Sequence, residues 1–173
     1  MKKALAKLLR TRIGPILFCC LLIQLLPVSG TAQTAAATGG DKDQTASQLL
    51  GIGIGTTLEE ARSRLTQLGT GGGRDTREGG RKEAWTLRET DFATLAFKTN
   101  AMGRAVWISA FVRPGKEIDF ARLGKLAKAT DATQSEAIWN VETGQGGYRL
   151  VAKGQNSKAT VIYLLSLEFP AVQ

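Results

Sequence analysis

Any catalysis by this chain would have to run on carboxylates, hydroxyls and amines. The sequence has no histidine, and its two cysteines are the adjacent pair Cys19 and Cys20 near the N-terminus. Without an imidazole, a Ser or Thr nucleophile lacks its usual base. Ser157 and Lys158 are neighbours in sequence, and neighbours on an extended strand point to opposite faces, so they do not cooperate. Two carboxylates can perform glycoside chemistry when they flank one bond. Glu59 and Glu60 are consecutive on a helix and do not face each other, and Glu136 and Glu142 flank a strand where solvent is the default. No catalytic residue is assigned, and a carboxylate-dependent hydrolase is the least supported of three readings.

Metal and nucleotide chemistry fare no better. Asp41 and Asp43 offer oxygens, but the rest of a calcium loop is missing. The run Gly51-Ile52-Gly53-Ile54-Gly55 lacks the third glycine of a dinucleotide loop, because Thr56 and Leu58 stand at the required spacing. It reads as a backbone bend leading into a helix. No cofactor and no metal are expected.

The residues that remain are suited to binding. Alternation in a strand normally gives one buried and one wet face. In Ala105 to Val112 both faces are apolar, with Val106, Ile108, Ala110 and Val112 on one and Trp107 and Phe111 on the other. The run Val161 to Leu167 repeats this, with Val161, Tyr163, Leu165 and Leu167 set against Ile162 and Leu164. Large aromatics are usually core, so the ordinary expectation is that both faces are covered, by helices and by the other half or the N-terminal lead. The functional alternative is an apolar sheet face open to a partner. The candidate partner contacts are Trp107 and Phe111, with Asp91 and Phe92 in the adjoining loop. Arg122 and Lys125 are expected to share a helix face, as a second candidate surface for an anionic polymer, although a solvated basic helix gives the same pattern.

The elements that must position these residues follow from periodicity. Thr57 to Gly69 is a helix: Thr57 and Glu60 form a capping box, and Leu58, Ala61, Leu65 and Leu68 lie on one face. Thr70 to Gly80 contains five glycines and is expected to be irregular. Strands are expected at Glu83 to Thr90, Phe92 to Lys98 and Arg104 to Arg113, the last two joined by a hairpin through Asn100 and Gly103. The pattern then recurs. Asp119 caps a second helix with Phe120, Leu123 and Ala127 on its face, weakened by Gly124. Strands are again expected at Glu136 to Glu142, Tyr148 to Lys153 and Lys158 to Glu168. Trp85 and Trp139 hold the same place in the two units, 54 residues apart. The expected fold is α+β, with two tandem αβββ units (48–115 and 116–173) forming one mainly antiparallel sheet with helices on one face.

Residues 1–32 read as a cleavable signal peptide. Lys2, Lys3, Lys7, Arg10 and Arg12 precede an apolar run broken by Gly14, Pro15 and Pro27, and small residues follow. The cleanest apolar stretch, Pro15 to Leu26, is shorter than the roughly 20 residues a membrane-spanning helix needs. Residues 33–47 form a polar, flexible lead. The formal net charge of +8 comes from 23 basic and 15 acidic residues. Five of the basic residues lie in the signal, so the mature balance is 18 against 15, or +3, which is not a nucleic-acid signature.

The first unit resembles a known family. Gly55-Thr56-Thr57-x-x-Glu60-Ala61, ending at Leu68-Gly69, is similar to the helix entry of the SmpA/OmlA outer-membrane assembly lipoproteins. Phe97-x-x-Asn100-x-x-Gly103-x-x-Val106 resembles that family's final hairpin, and Trp85 stands where it has an aromatic strand. The duplication resembles the architecture of β-lactamase inhibitor protein. These resemblances imply a non-catalytic, periplasmic or secreted protein that binds another extracytoplasmic protein, supports envelope assembly, or inhibits an extracytoplasmic enzyme. An inhibitor would use the loops Glu89 to Phe92 and Thr143 to Gly147. One departure matters: Cys19 follows Phe18 and Cys20 follows Cys19, so the small residue that precedes a lipid-modified cysteine is missing. The expectation is a free protein, not a lipoprotein.

Overall fold

The computed structural model describes residues 44–144 and 146–167. The expected signal peptide, residues 33–43 of the lead, and Glu168 lie outside the described residues.

Helix α1 (Leu58–Leu68) begins at its capping box. The Thr57 hydroxyl accepts from the Glu60 N–H at 3.3 Å, and the Glu60 carboxylate accepts from the Thr57 N–H at 3.0 Å. These bonds satisfy donors that every helix start leaves open. They also hold the Glu60 carboxyl below its ordinary value, the Thr57 backbone contributing most. Ala61 and Leu65 are fully buried, as the spacing requires. Ahead of the helix, β1 (Gln48–Leu49) and β2 (Ile52–Gly53) form a small hairpin, so the glycine run is a hairpin turn at Gly51, a short strand and a second turn at Ile54 and Gly55 that leads into the helix.

After α1 the chain forms β3 (Gly69–Asp75), β4 (Arg81–Leu87), β5 (Phe92–Thr99) and β6 (Ala105–Val112). A two-residue β7 (Ile118–Asp119) leads into α2 (Phe120–Leu123). The second half continues with β8 (Asp131–Ala132), β9 (Glu136–Thr143), β10 (Gly146–Gln155) and β11 (Lys158–Ser166). All but β1 and β2 join one nine-stranded antiparallel sheet in the order β3-β4-β5-β6-β11-β10-β9-β8, with β7 added beside β11. Both helices pack on one face. The expected α+β architecture, with one antiparallel sheet and helices on one face, is therefore present; each half adds a rim strand, β3 or β8, to the three expected, and the halves meet last strand to last strand, β6 against β11.

The two halves enter their helices alike. The first helical N–H of α1, on Leu58, donates to the Gly103 carbonyl at 2.8 Å, and that of α2, on Phe120, donates to the Ser157 carbonyl at 2.9 Å. Thr57 bridges Arg104, and Asp119 pairs with Lys158. Each helix start is thus stitched to the turn before the last strand of its own half. In one turn the Asn100 side chain accepts from the Met102 and Arg104 N–H groups, at 3.0 Å each. In the other, Asn156 and Ser157 both take positive φ, 51° and 59°. That is the twist a two-residue hairpin favours.

Three local expectations are corrected. Thr70 to Gly80 is not irregular throughout, because Gly69–Asp75 is a paired edge strand. Its glycines give way to the neighbouring strand's side chains: a Cβ on Gly71 would stand 2.5 Å from the Trp85 ring, and one on Gly73 would stand 2.4 Å from Glu83 Cγ. Propensity argued against a strand, but cross-strand packing of an aromatic over glycine supplies one. The second helix is a single turn. Gly124 is in extended conformation against the Trp139 indole, Ala127 lies beyond the helix, and Asp119 makes no side-chain cap bond. The fold also reaches back before Gln48. Ala46 is buried and its N–H donates to the Leu123 carbonyl at 2.7 Å, while the Tyr148 hydroxyl donates to the Thr45 carbonyl at 3.2 Å.

Gly71 and Gly72 separate packing from openness in β3, since a Cβ on Gly72 would meet nothing within 4 Å. Gly71→Ala should destabilise by about 1–3 kcal/mol through overpacking. Gly72→Ala should leave stability unchanged or raise it by about 0.4–1 kcal/mol, by restricting the unfolded chain. Denaturant midpoints of the two variants check the contrast, and equal midpoints would refute it.

Candidate partner-binding face

The core lies between the helices and one face of the sheet. From β6 it takes Ile108, Ala110 and Val112, from β11 Ile162 and Leu164, and from β5 Phe92, Leu95 and Phe97. Trp85 and Trp139 are buried there too, each with its indole N–H satisfied. Trp85 donates to the Glu83 carboxylate at 3.2 Å, and Trp139 to the Lys125 carbonyl at 3.0 Å.

Trp107 and Phe111 stand on the opposite face. Strand register aligns Trp107 with Leu165, Ser109 with Tyr163, and Phe111 with Val161 across the seam. Trp107, Val161, Tyr163 and Leu165 are half-buried, and Phe111 is 45% exposed. The Trp107 and Tyr163 rings are tilted at 42° with centroids 6.4 Å apart, and the Lys82 ammonium sits 5.6 Å from the Trp107 ring centre. These side chains form an apolar belt across the middle of the sheet, separate from the core beneath. On β10 and β9 the same face carries Val151, which is buried, and half-buried Ile138, which pair in register. Beyond them the Lys153 ammonium meets the Glu136 carboxylate at 2.7 Å, which raises the Lys153 pKa. Among the described residues the helices cover one face, and on the other Phe111 is exposed while Trp107, Tyr163, Val161 and Leu165 keep partial solvent contact; residues 33–43 of the lead, expected to help cover this face, lie outside the described residues.

The remaining candidates separate. Phe92 is fully buried and is a core residue, not a contact, because its side chain turns inward at the β5 bulge. Asp91 is half-buried in the turn before it, where its carbonyl accepts from the Arg113 N–H at 2.8 Å. Arg122 is exposed on α2, but Lys125 lies past that helix's end, so the two do not share a helix face. The inhibitor loops also diverge. Asp91 adjoins Arg113, just past the C-terminal end of β6, whereas Gly147 bonds Leu167, near the strand end that pairs with Trp107. They sit at opposite ends of the strands. Tyr163 joins the candidate contacts, and the alternation in β11 sets it apart from Ile162 and Leu164.

One ionised group belongs to the core side. Glu83 is 1% exposed and accepts from Arg62 Nε at 2.9 Å and Arg81 Nε at 2.7 Å, besides Trp85. Burial pushes its carboxyl up, but the two guanidinium groups and the indole together hold it below its ordinary value. Both carboxylate oxygens are used in this pin, Oε1 by the two guanidinium groups and Oε2 by the indole, so it is structural. Elsewhere Glu60 is committed to its cap and Glu136 to Lys153. Among the described residues no group of three His, Cys, Asp or Glu could hold a metal ion. Two shallow grooves of about 510 and 520 Å³ adjoin at Ser47, Thr143 and Tyr148, and neither reaches Trp107 or Phe111. No described helix is long and apolar enough to cross a membrane.

No protein-family model matches the chain, and neither a curated protein nor a solved structure matches it.

A depressed carboxyl pKa stabilises the fold above its unfolded value, near 4.5, and that contribution disappears as pH falls through the lower folded value. Glu83→Gln should cost about 1.5–3 kcal/mol at neutral pH, the range for hydrogen bonds to charged groups. The gap to wild type should narrow below pH 4.5. Urea midpoints against pH measure it, and a gap that stays constant to pH 3 would show that the carboxylate charge is not what stabilises the site.

Proposed function

We propose that this chain is an exported, non-catalytic protein-binding module whose contact surface is the open sheet face around Trp107 and Phe111. The observation that carries this reading is the apolar belt itself. Tryptophan and tyrosine are over-represented among the residues that dominate binding energy, and isolated apolar exposure is common where a contiguous belt is not. A wide antiparallel sheet is a rigid platform, so little ordering is needed on association. The export part of the reading rests on the N-terminal sequence pattern, and the suggested role in envelope assembly rests on the SmpA/OmlA resemblance of the first unit.

The inhibitor reading is less well supported, because the two loops that would carry it lie at opposite ends of the strands. The hydrolase reading has no observation among the described residues in its favour, where Glu60, Glu83 and Glu136 are each committed to a structural partner.

Trp107→Ser combined with Phe111→Ser should weaken partner binding by about 2–4 kcal/mol, the range for central interface residues. Because both side chains keep solvent contact, thermal stability should change little. A photo-cross-linker placed at Phe111 should trap one defined protein from the native compartment, and the same group at Glu59 on the helix face should not. Adducts from both positions in equal yield would argue against this face, and unfolding of the double variant would make the pair core residues.

A further inference from the structure

The open face carries a pattern finer than its apolar belt. Register places residues of β3, β4, β5 and β6 in three straight rows across the strands. The first row is Arg74, Lys82, Lys98 and Trp107. The second is Gly72, Ala84, Ala96 and Ser109, none larger than serine. The third is Thr70, Thr86, Thr94 and Phe111. The middle row therefore floors a trough, exposed at Gly72 and Ala84 and buried at Ala96 and Ser109, with cations and an indole along one side and hydroxyls and a phenyl along the other. Tyr163, opposite Ser109 on β11, closes its end.

Two features of this trough are unexplained by folding. Like charges directly opposite one another weaken a sheet, yet Arg74, Lys82 and Lys98 are successive cross-strand neighbours. Glu78 holds Lys98, but among the described residues neither Arg74 nor Lys82 has an acidic partner. Gly72 is the second feature. Gly71 and Gly73 are needed beneath Trp85 and Glu83, whereas a side chain on Gly72 would enter open space. A glycine without a packing reason marks a place where another chain comes close to the backbone.

We propose that the trough binds an extended acidic peptide segment of a partner protein, its carboxylates on Arg74, Lys82 and Lys98 and an apolar side chain against Trp107 and Tyr163. This rests on the reading of the open face as a partner surface and specifies its chemistry. Strands lie about 4.8 Å apart, so the path from β3 to β11 is roughly 19 Å, the reach of about six extended residues. Aliphatic Val161 and Leu165 beside the rings call for an apolar side chain, which a sugar or phosphate polymer lacks. The cations form a line along one side of the apolar belt and do not ring it, so the geometry suits a single chain better than a membrane surface.

Trp107 reports on the trough directly, because Trp85 and Trp139 are buried in the core. Titrating the purified protein with a synthetic peptide alternating glutamate and phenylalanine should give a saturable emission shift that weakens as salt rises. Gly72→Val should fill the floor, preserve the melting temperature and weaken that peptide at least tenfold. Lys82→Glu should weaken it by a similar factor at low salt. Three results would overturn the proposal: no saturable shift with the peptide, an unchanged affinity in Gly72→Val, or a shift produced by anionic phospholipid vesicles and not by the peptide. Poly-glutamate binding as tightly as the mixed peptide would remove the apolar contact and count against it as well. If Trp107→Ser with Phe111→Ser abolishes capture of the native partner while Gly72→Val does not, the face is a binding surface and the trough is not its site.

Discussion

β6 and β11 pair antiparallel from Val161 opposite Phe111 to Leu165 opposite Trp107, and this seam makes two small units into one sheet. Each half alone would leave its last strand as an unpaired edge, a liability for any β protein. Joined, the two most apolar strands occupy the centre, and only short or glycine-rich strands, β8 and β3, are left at the rims. The seam also fixes which side chains meet. Ile108 and Ala110 join Leu164 and Ile162 in the core, while Trp107, Ser109 and Phe111 join Leu165, Tyr163 and Val161 outside. A slip of one residue would exchange the faces.

The two halves solve the same problem with different parts. Each buries a tryptophan on the strand next to a rim of the sheet, β4 or β9, and must give the indole N–H an acceptor. In the first half α1 is long enough to bring Arg62 over Glu83, and the carboxylate becomes both the acceptor for Trp85 and the anchor of the helix. In the second half Gly124 ends α2 after one turn, and the chain crosses the Trp139 indole closely enough for the Lys125 carbonyl to accept. The shorter helix leaves room that residues before Gln48 fill, through Ala46 and the bond from Tyr148 to Thr45.

The helix face thus accounts for nearly all of the packing, and the open face carries what packing does not explain. A line of cations, a floor of small residues and an indole with a lysine above it each add little or nothing to the core. Departures from local consistency tend to gather where a protein functions, and here they gather in one trough on one side of one sheet.

Much of this was legible in the residues. The capping box at Thr57, the alternation in Ala105 to Val112 and Val161 to Leu167, and the matched tryptophans were enough for the helix, the strands and the tandem architecture. Side-chain period also separated Trp107 and Phe111 from Ile108 and Ala110, because that depends only on neighbours along one strand. The glycine-rich strand β3 was not legible, since its stability comes from Trp85 and Glu83 on another strand. Nor was the burial of Phe92, which a bulge turns inward, or the single-turn α2, which Gly124 and Trp139 decide together. The sequence by itself determined the composition of each face, through periodicity. Only the tertiary structure decided which face the helices cover and which residues of four strands fall into one row, because register is set by pairing between segments far apart in the chain.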